Sequence, residues 1–141
     1  MKTITVILMA VVLFSCSKNE TSPNANMIYG KWHMAKYVDW RTENGQIFKD
    51  SATLDPLALF ADFKPDSSVL YQERSGTVYL NTTQRYYISG NTLYVTNKYN
   101  STGYDTCQIL TLTSNELSYY RKRYQSGSST TMTQTWEYWA K

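Results

Sequence analysis

The chain carries one histidine, two cysteines and eleven carboxylates, and none of them is spaced for a familiar reaction centre. His33 alone cannot build a histidine triad or a His-rich metal site, and on a strand it faces away from Trp32. Cys107 has no Cys or His at ligand spacing. No serine sits in Gly-x-Ser-x-Gly, and no glycine-rich loop leads into a helix to cradle phosphate. Glycoside hydrolysis needs only two opposed carboxyls. The available ones, among them Asp39, Glu73, Asp105 and Glu137, read as scattered over loops and outer faces. The expectation is a protein that is not an enzyme, with no cofactor and no metal.

What remains is recognition. Thirteen tyrosines and four tryptophans stand in a chain with few charges. Aromatic rings bury much area while keeping a polar handle, which suits a small core and equally an apolar or planar ligand. Lys36 falls in phase with Trp32 and Met34, and Arg121 in phase with Leu117 and Tyr119. Either cation could neutralise a ligand carboxylate at the mouth of a barrel, with Tyr71, Tyr86, Tyr119 and Trp136 as aromatic ligand-binding candidates. Arg121-Lys122-Arg123 is the one locally basic run, and a solvated sheet edge is its expected setting. The net charge is +3, or +2 without Lys2, too even for the clustered basic footprint that nucleic acid requires.

Holding these residues takes strands. Tyr, Thr, Val, Trp and Ile crowd into short runs split by Gly, Asn, Ser and Pro-Asp, the mark of an all-β chain. Eight runs emerge: Lys31–Trp40, Leu57–Phe63, Ser68–Glu73, Arg85–Ile88, Thr92–Lys98, Thr106–Leu112, Glu116–Tyr124 and Thr131–Trp139. Turn-forming residues at Lys64-Pro65-Asp66-Ser67, Ser89-Gly90-Asn91, Thr113-Ser114-Asn115 and the longer Gln125–Ser129 loop make consecutive strands neighbours. The connection from Arg41 to Pro56 is long and is expected to hold a short helical turn near Ala52 to Ala58. Closing the first strand onto the last removes both exposed edges, giving an eight-stranded antiparallel up-and-down barrel. Alternation points Trp32, Met34, Val38, Phe63, Val69, Tyr71, Tyr86, Ile88, Leu93, Val95, Leu110, Leu112, Leu117, Tyr119, Trp136 and Tyr138 inward. Cys107 belongs with this core.

The first residues have another task. Lys2 precedes an apolar run from Ile4 to Phe14 that is too short to span a bilayer, which takes about 20 apolar residues. The run ends in Leu13-Phe14-Ser15-Cys16, which resembles the lipobox of bacterial lipoproteins. The resemblance implies a signal peptide over residues 1–15 and a lipid on Cys16. Residues 16–26 then form a polar tether, and residues 27–141 the barrel domain. The opening Cys16-Ser17-Lys18-Asn19-Glu20 partly resembles the export tags of Bacteroidetes surface lipoproteins. The implied location is the cell envelope, lipid-anchored in the outer membrane, on its periplasmic or surface face. With Cys16 lipidated, Cys107 has no disulfide partner.

Gly30-Lys31-Trp32 opens the first strand as Gly-x-Trp opens lipocalins. Phe63-x-Pro-Asp, Tyr86-Tyr87-Ile88-Ser89-Gly90-Asn91-Thr92-Leu93 and Leu110-Thr111-Leu112-Thr113-Ser114-Asn115-Glu116-Leu117 are similar to the strand-turn-strand rhythm of lipocalin-like lipoproteins of the Bacteroidetes type. The resemblance gives Gly30 and Trp32 structural roles at the barrel base and implies a small hydrophobic or amphipathic ligand. The alternative partner is an envelope protein or glycan, met by a barrel with a solid core. Its contact surface would be an exterior patch of Tyr37, Tyr94, Tyr120 and Tyr124.

Overall fold

Residues 24–97, 100–124 and 131–141 are described by the computed structural model. The expected signal peptide, Cys16, the expected tether up to Pro23, Lys98 and the expected Gln125–Ser129 loop lie outside them. Among the described residues a 3-10 turn, Ala25–Ile28, precedes nine strands. These are β1 Gly30–Glu43, β2 Gln46–Thr53, β3 Leu59–Phe63, β4 Ser68–Ser75, β5 Val78–Ser89, β6 Thr92–Asn97, β7 Asn100–Leu112, β8 Glu116–Tyr124 and β9 Met132–Ala140. All pairings are antiparallel, in the order β2-β1-β3-β4-β5-β6-β7-β8-β9, and β9 pairs back onto β1. Eight of the strands therefore close into a barrel, and β2 is added outside the circuit.

The extra strand corrects the expected long connection with a helical turn. One edge of β1 is shared: Gly30 to His33 pairs with β3, and from Lys36 onward the same edge pairs with β2. Asn44 and Gly45 have φ values of 50° and 79°. Two positive φ angles make the tight turn whose twist suits a hairpin, and Asn-Gly is its favoured sequence. Between β2 and β3 only a hydrogen-bonded turn remains, with Ala58 N donating to Asp55 O at 2.8 Å.

Two bulges reset which side chains face in. Between Met34 and Lys36 the register of β1 against β9 shifts, leaving Ala35 as the extra residue. Beyond it the phase reverses. Tyr37 lies across from the buried Glu137, while Val38 pairs with Trp136 on the outer face. A second shift, between Ile109 and Thr111, turns Leu110 out to 54% exposure while Ile109 stays buried. Val38 and Leu110 are thus corrections to the expected core, because a bulge flips every residue after it without altering the apolar pattern.

On β9 the expected phase is inverted. Thr135, Glu137 and Trp139 are buried, whereas Tyr138 is 39% exposed and Trp136 sits on the outer face. Tyr138 and Trp139 are adjacent aromatics of opposite phase, so alternation alone could not choose between them. Placing Trp139 inside requires Glu137 inside too, which an apolar-in rule rejects.

The end of the barrel where β1 begins is packed shut. Trp32 is fully buried, and its Nε1 donates to Ile28 O at 2.6 Å, tying the indole to the 3-10 turn across the base. Gly30 supplies a φ of 110° that a side chain would resist, and Lys141 Nζ lies 4.5 Å from the Trp32 ring centroid. Phe63, Val69, Leu93 and Leu117 complete the floor, each no more than 2% exposed.

Candidate functional site

Above this floor the interior is not filled. A cavity of about 380 Å³ lies between Met34, Tyr71, Val95, Cys107, Tyr119 and Trp139, and reaches the exposed Glu73 and Leu80. The walls come from nearly every strand of the circuit, which is what closure achieves: one inward residue in two, from each strand, converges on a single space.

Three of the six predicted ligand-binding residues line this space: Tyr71, Tyr119 and Arg121. Tyr86 is buried lower down, with its ring edge-on to Phe63 at 5.0 Å and its hydroxyl donating to Lys64 O at 2.9 Å, so it belongs to the floor. Lys36 and Trp136 do not reach the interior. The Ala35 bulge turns Lys36 outward, where its ammonium lies 5.9 Å from the Tyr138 ring centroid. Trp136 packs outside, its ring centroid 5.0 Å from that of Trp40 and 5.0 Å from that of Tyr120.

Charges inside the barrel are the feature that alternation of apolar residues missed. Glu137 is 2% exposed, accepts a 2.5 Å hydrogen bond from the Tyr119 hydroxyl, and forms an ion pair with Arg121 Nη2. One turn of the ladder nearer the mouth, Arg123 pairs with Asp105. Arg121 and Arg123 are therefore not a solvated edge: β8 has a partner on both sides, and both guanidiniums line the cavity. A buried carboxylate is tolerated only when paired and hydrogen-bonded, which Arg121 and Tyr119 achieve for Glu137. The in-phase series Leu117, Tyr119, Arg121, Arg123 was the available signal, since two inward cations require inward anions.

The electrostatics follow from this arrangement. Burial opposes the Arg121 charge, but the Glu137 carboxylate, with Tyr119 and Cys107, holds the guanidinium pKa above its ordinary value. Burial, reinforced by Glu137, pushes the hydroxyl pKa of both Tyr71 and Tyr119 upward, so both remain donors. Cys107 is pushed up to about 12, first by burial, and stays a thiol at neutral pH. Arg121 Nε and Trp139 Nε1 are buried N–H donors without a hydrogen-bond partner among the described residues. An unpaired buried donor costs about 1–3 kcal/mol. Glu73, at the rim, has no ionic partner among the described residues. Among those residues there is also no group of three His, Cys, Asp or Glu that could hold a metal ion.

The outside carries two aromatic groups. On the β1–β9–β8 wall, Trp40, Trp136 and Tyr120 pack together, Gln134 Nε2 donates to the Tyr120 hydroxyl at 2.9 Å, and Lys49 Nζ lies 4.4 Å from the Trp40 centroid. On the β5–β6–β7 wall, Tyr87 stacks on Tyr94 at 4.4 Å and meets Tyr104 edge-on at 5.3 Å. The exterior patch expected from Tyr37, Tyr94, Tyr120 and Tyr124 is thus redistributed. Tyr94 and Tyr120 belong to different walls, while the bulge brings Tyr37 to the face of Glu137, with its hydroxyl 3.3 Å from Asp50 Oδ2. The Asp50 carboxylate raises the Tyr37 pKa.

A closed eight-stranded antiparallel barrel with a tryptophan in its floor and a cavity above it is the architecture of a lipocalin. Among solved structures the chain is similar to the bovine lipocalin allergen Bos d 2, with a TM-score of 0.51 and 17% identity, over 84% of this chain and 75% of that one. The likeness is one of fold. No family model matches the sequence, and no curated protein matches it.

Proposed function

We propose that this chain is a lipid-anchored envelope lipoprotein of the Bacteroidetes type whose barrel holds a small apolar or amphipathic ligand and catalyses no reaction. The observation that carries the reading is the cavity of about 380 Å³ above the Trp32 floor, within the range of small-molecule sites. The described chain begins at Asn24, beside that floor. A lipid on Cys16 would attach the barrel from the side of its closed end. Replacing Cys16 by Ala is expected to leave unprocessed precursor; normal membrane fractionation of that variant would contradict the anchor. Native mass spectrometry of protein purified from its host is expected to show a retained small molecule, and a panel of fatty acids, sterols and haem-like compounds is expected to contain members that quench tryptophan fluorescence. A flat response across the panel would count against the cavity as a ligand site.

A second reading rests on the exterior cluster of Trp40, Trp136 and Tyr120, an aromatic platform of the kind that meets a protein or glycan partner. Its premise of a solid barrel is not met. Its own test is separate: a Trp40→Ala variant would lose a partner retained by the wild type while keeping any cavity ligand.

A further inference from the structure

We infer that the ligand of this cavity is electrically neutral and presents an oxygen acceptor, such as a ketone, ester or amide carbonyl, and is not a fatty acid. The inference rests on the ligand-binding reading above and specifies its chemistry. It comes from a count of what the cavity wall has left to offer.

Among the described lining residues, positive charge is not left over. Arg121 is held by Glu137 and Arg123 by Asp105, so both lining cations are matched by lining anions. Glu73 adds a third carboxylate at the rim, and the wall carries three acidic groups against two basic ones. A carboxylate entering this space would be drawn to no free cation among the described lining residues and would approach Glu137, a like charge in a poorly screened setting. The structure thus revises the expectation that Arg121 neutralises a ligand acid: the residue faces inward, but its charge is already matched.

Hydrogen-bond donors are left over. Among the described residues, Trp139, 3% exposed, has an Nε1–H with no partner and Arg121 an Nε–H with none; Glu137 Oε1 accepts no hydrogen bond either, but it is held in the ion pair with Arg121. Both residues line the cavity. Neither nitrogen is exposed to water, so an acceptor oxygen would have to displace lining side chains to reach them. A site with unmet donors favours a ligand that meets them over an analogue of equal size that does not. Two spare N–H groups and no spare cation among the described lining residues together select a neutral acceptor. A protonated amine, attracted by Glu73, would leave both donors unpaired.

Probes matched in chain length test this: 2-nonanone, octanoate, nonylamine and decane, titrated into the intact barrel at neutral pH by calorimetry and tryptophan fluorescence. The ketone is expected to bind about tenfold or more tightly than octanoate or decane, since one gained hydrogen bond to a buried donor is worth roughly that factor. Glu137→Gln removes the counter-charge of Arg121 while keeping the side-chain shape, and is expected to raise octanoate affinity about tenfold, to or above that of the ketone. Octanoate or nonylamine binding as tightly as the ketone in the wild type would overturn the inference and leave the ligand-binding reading standing. Failure of every probe would remove both. The wild-type ranking decides the matter even if the variant folds poorly, and the variant is read by a gain that an unfolded chain cannot give.

Discussion

The two ends of the barrel are built on opposite principles. At the closed end, Trp32, Phe63, Val69, Leu93 and Leu117 fill the interior with no charge among them, and the one polar nitrogen of Trp32 is satisfied by Ile28 O. Toward the open end the same strands send Tyr119, Arg121, Arg123 and Glu137 inward around empty space, with two N–H donors left unpaired. The floor gains its stability chiefly from burial. The upper half depends on charge pairs whose desolvation offsets much of their attraction, an arrangement that is poor for stability and suited to selecting an occupant.

The largest expected effect lies at the floor. Trp32→Ala should destabilise the barrel by about 3–5 kcal/mol in urea unfolding, through lost burial and the cavity left behind; a loss under about 1 kcal/mol would show the two ends to be equally loose. Next comes the buried pair. Glu137→Ala leaves Arg121 uncompensated and should cost about 3 kcal/mol, the low end for such pairs because Arg121 is partly exposed. Replacing both partners together, as Glu137→Leu with Arg121→Met, should recover most of that loss, and a double variant as unstable as the single one would mean the pair is not the reason.

Alkaline pH touches both ends. Tyr86 in the floor and Cys107 in the cavity wall are each raised to about 12, chiefly by burial, from ordinary values near 10 and 9. Folding therefore favours their protonated forms. The stability they contribute is fully present below about pH 9 and is lost as pH rises toward 12. Unfolding monitored between pH 8 and pH 12 should show that decline, and a thiol reagent at pH 8 should leave Cys107 unmodified in the folded protein. Rapid labelling would place the thiol in solvent. The smallest effect belongs to the hairpin outside the circuit: Gly45→Ala, at φ 79°, should cost only about 1 kcal/mol, because β2 contributes no side chain to the floor. A collapse of the whole barrel would show that β2 is part of its closure.

The same division governs what the sequence disclosed. The floor was legible because Gly30-Lys31-Trp32, Phe63, Val69 and Leu93 obey strict alternation on unbulged stretches, and eight-strand closure followed from them. The upper half was not. A bulge at Ala35 or Leu110 has no apolar signature, so Lys36, Val38 and Leu110 were assigned to the wrong face. β2, apart from the half-buried Ala52, and the first half of β5 are exposed and lack a buried rhythm; Asn44-Gly45 was the hairpin signal that went unread. Glu137 was hidden because an inward carboxylate is only understood together with Arg121 and Tyr119, residues 16 and 18 positions away that the barrel alone brings beside it.

The most direct test of the cavity is to plug it. Val95 is buried in its wall, and Val95→Phe would occupy the space without replacing a charged residue or a member of the exterior Trp40–Trp136–Tyr120 cluster. Titration of the wild type with a ligand from the panel should give saturable one-to-one tryptophan quenching that the plugged variant, folded by circular dichroism, lacks. Equal quenching in both proteins would place binding outside the barrel and contradict the account.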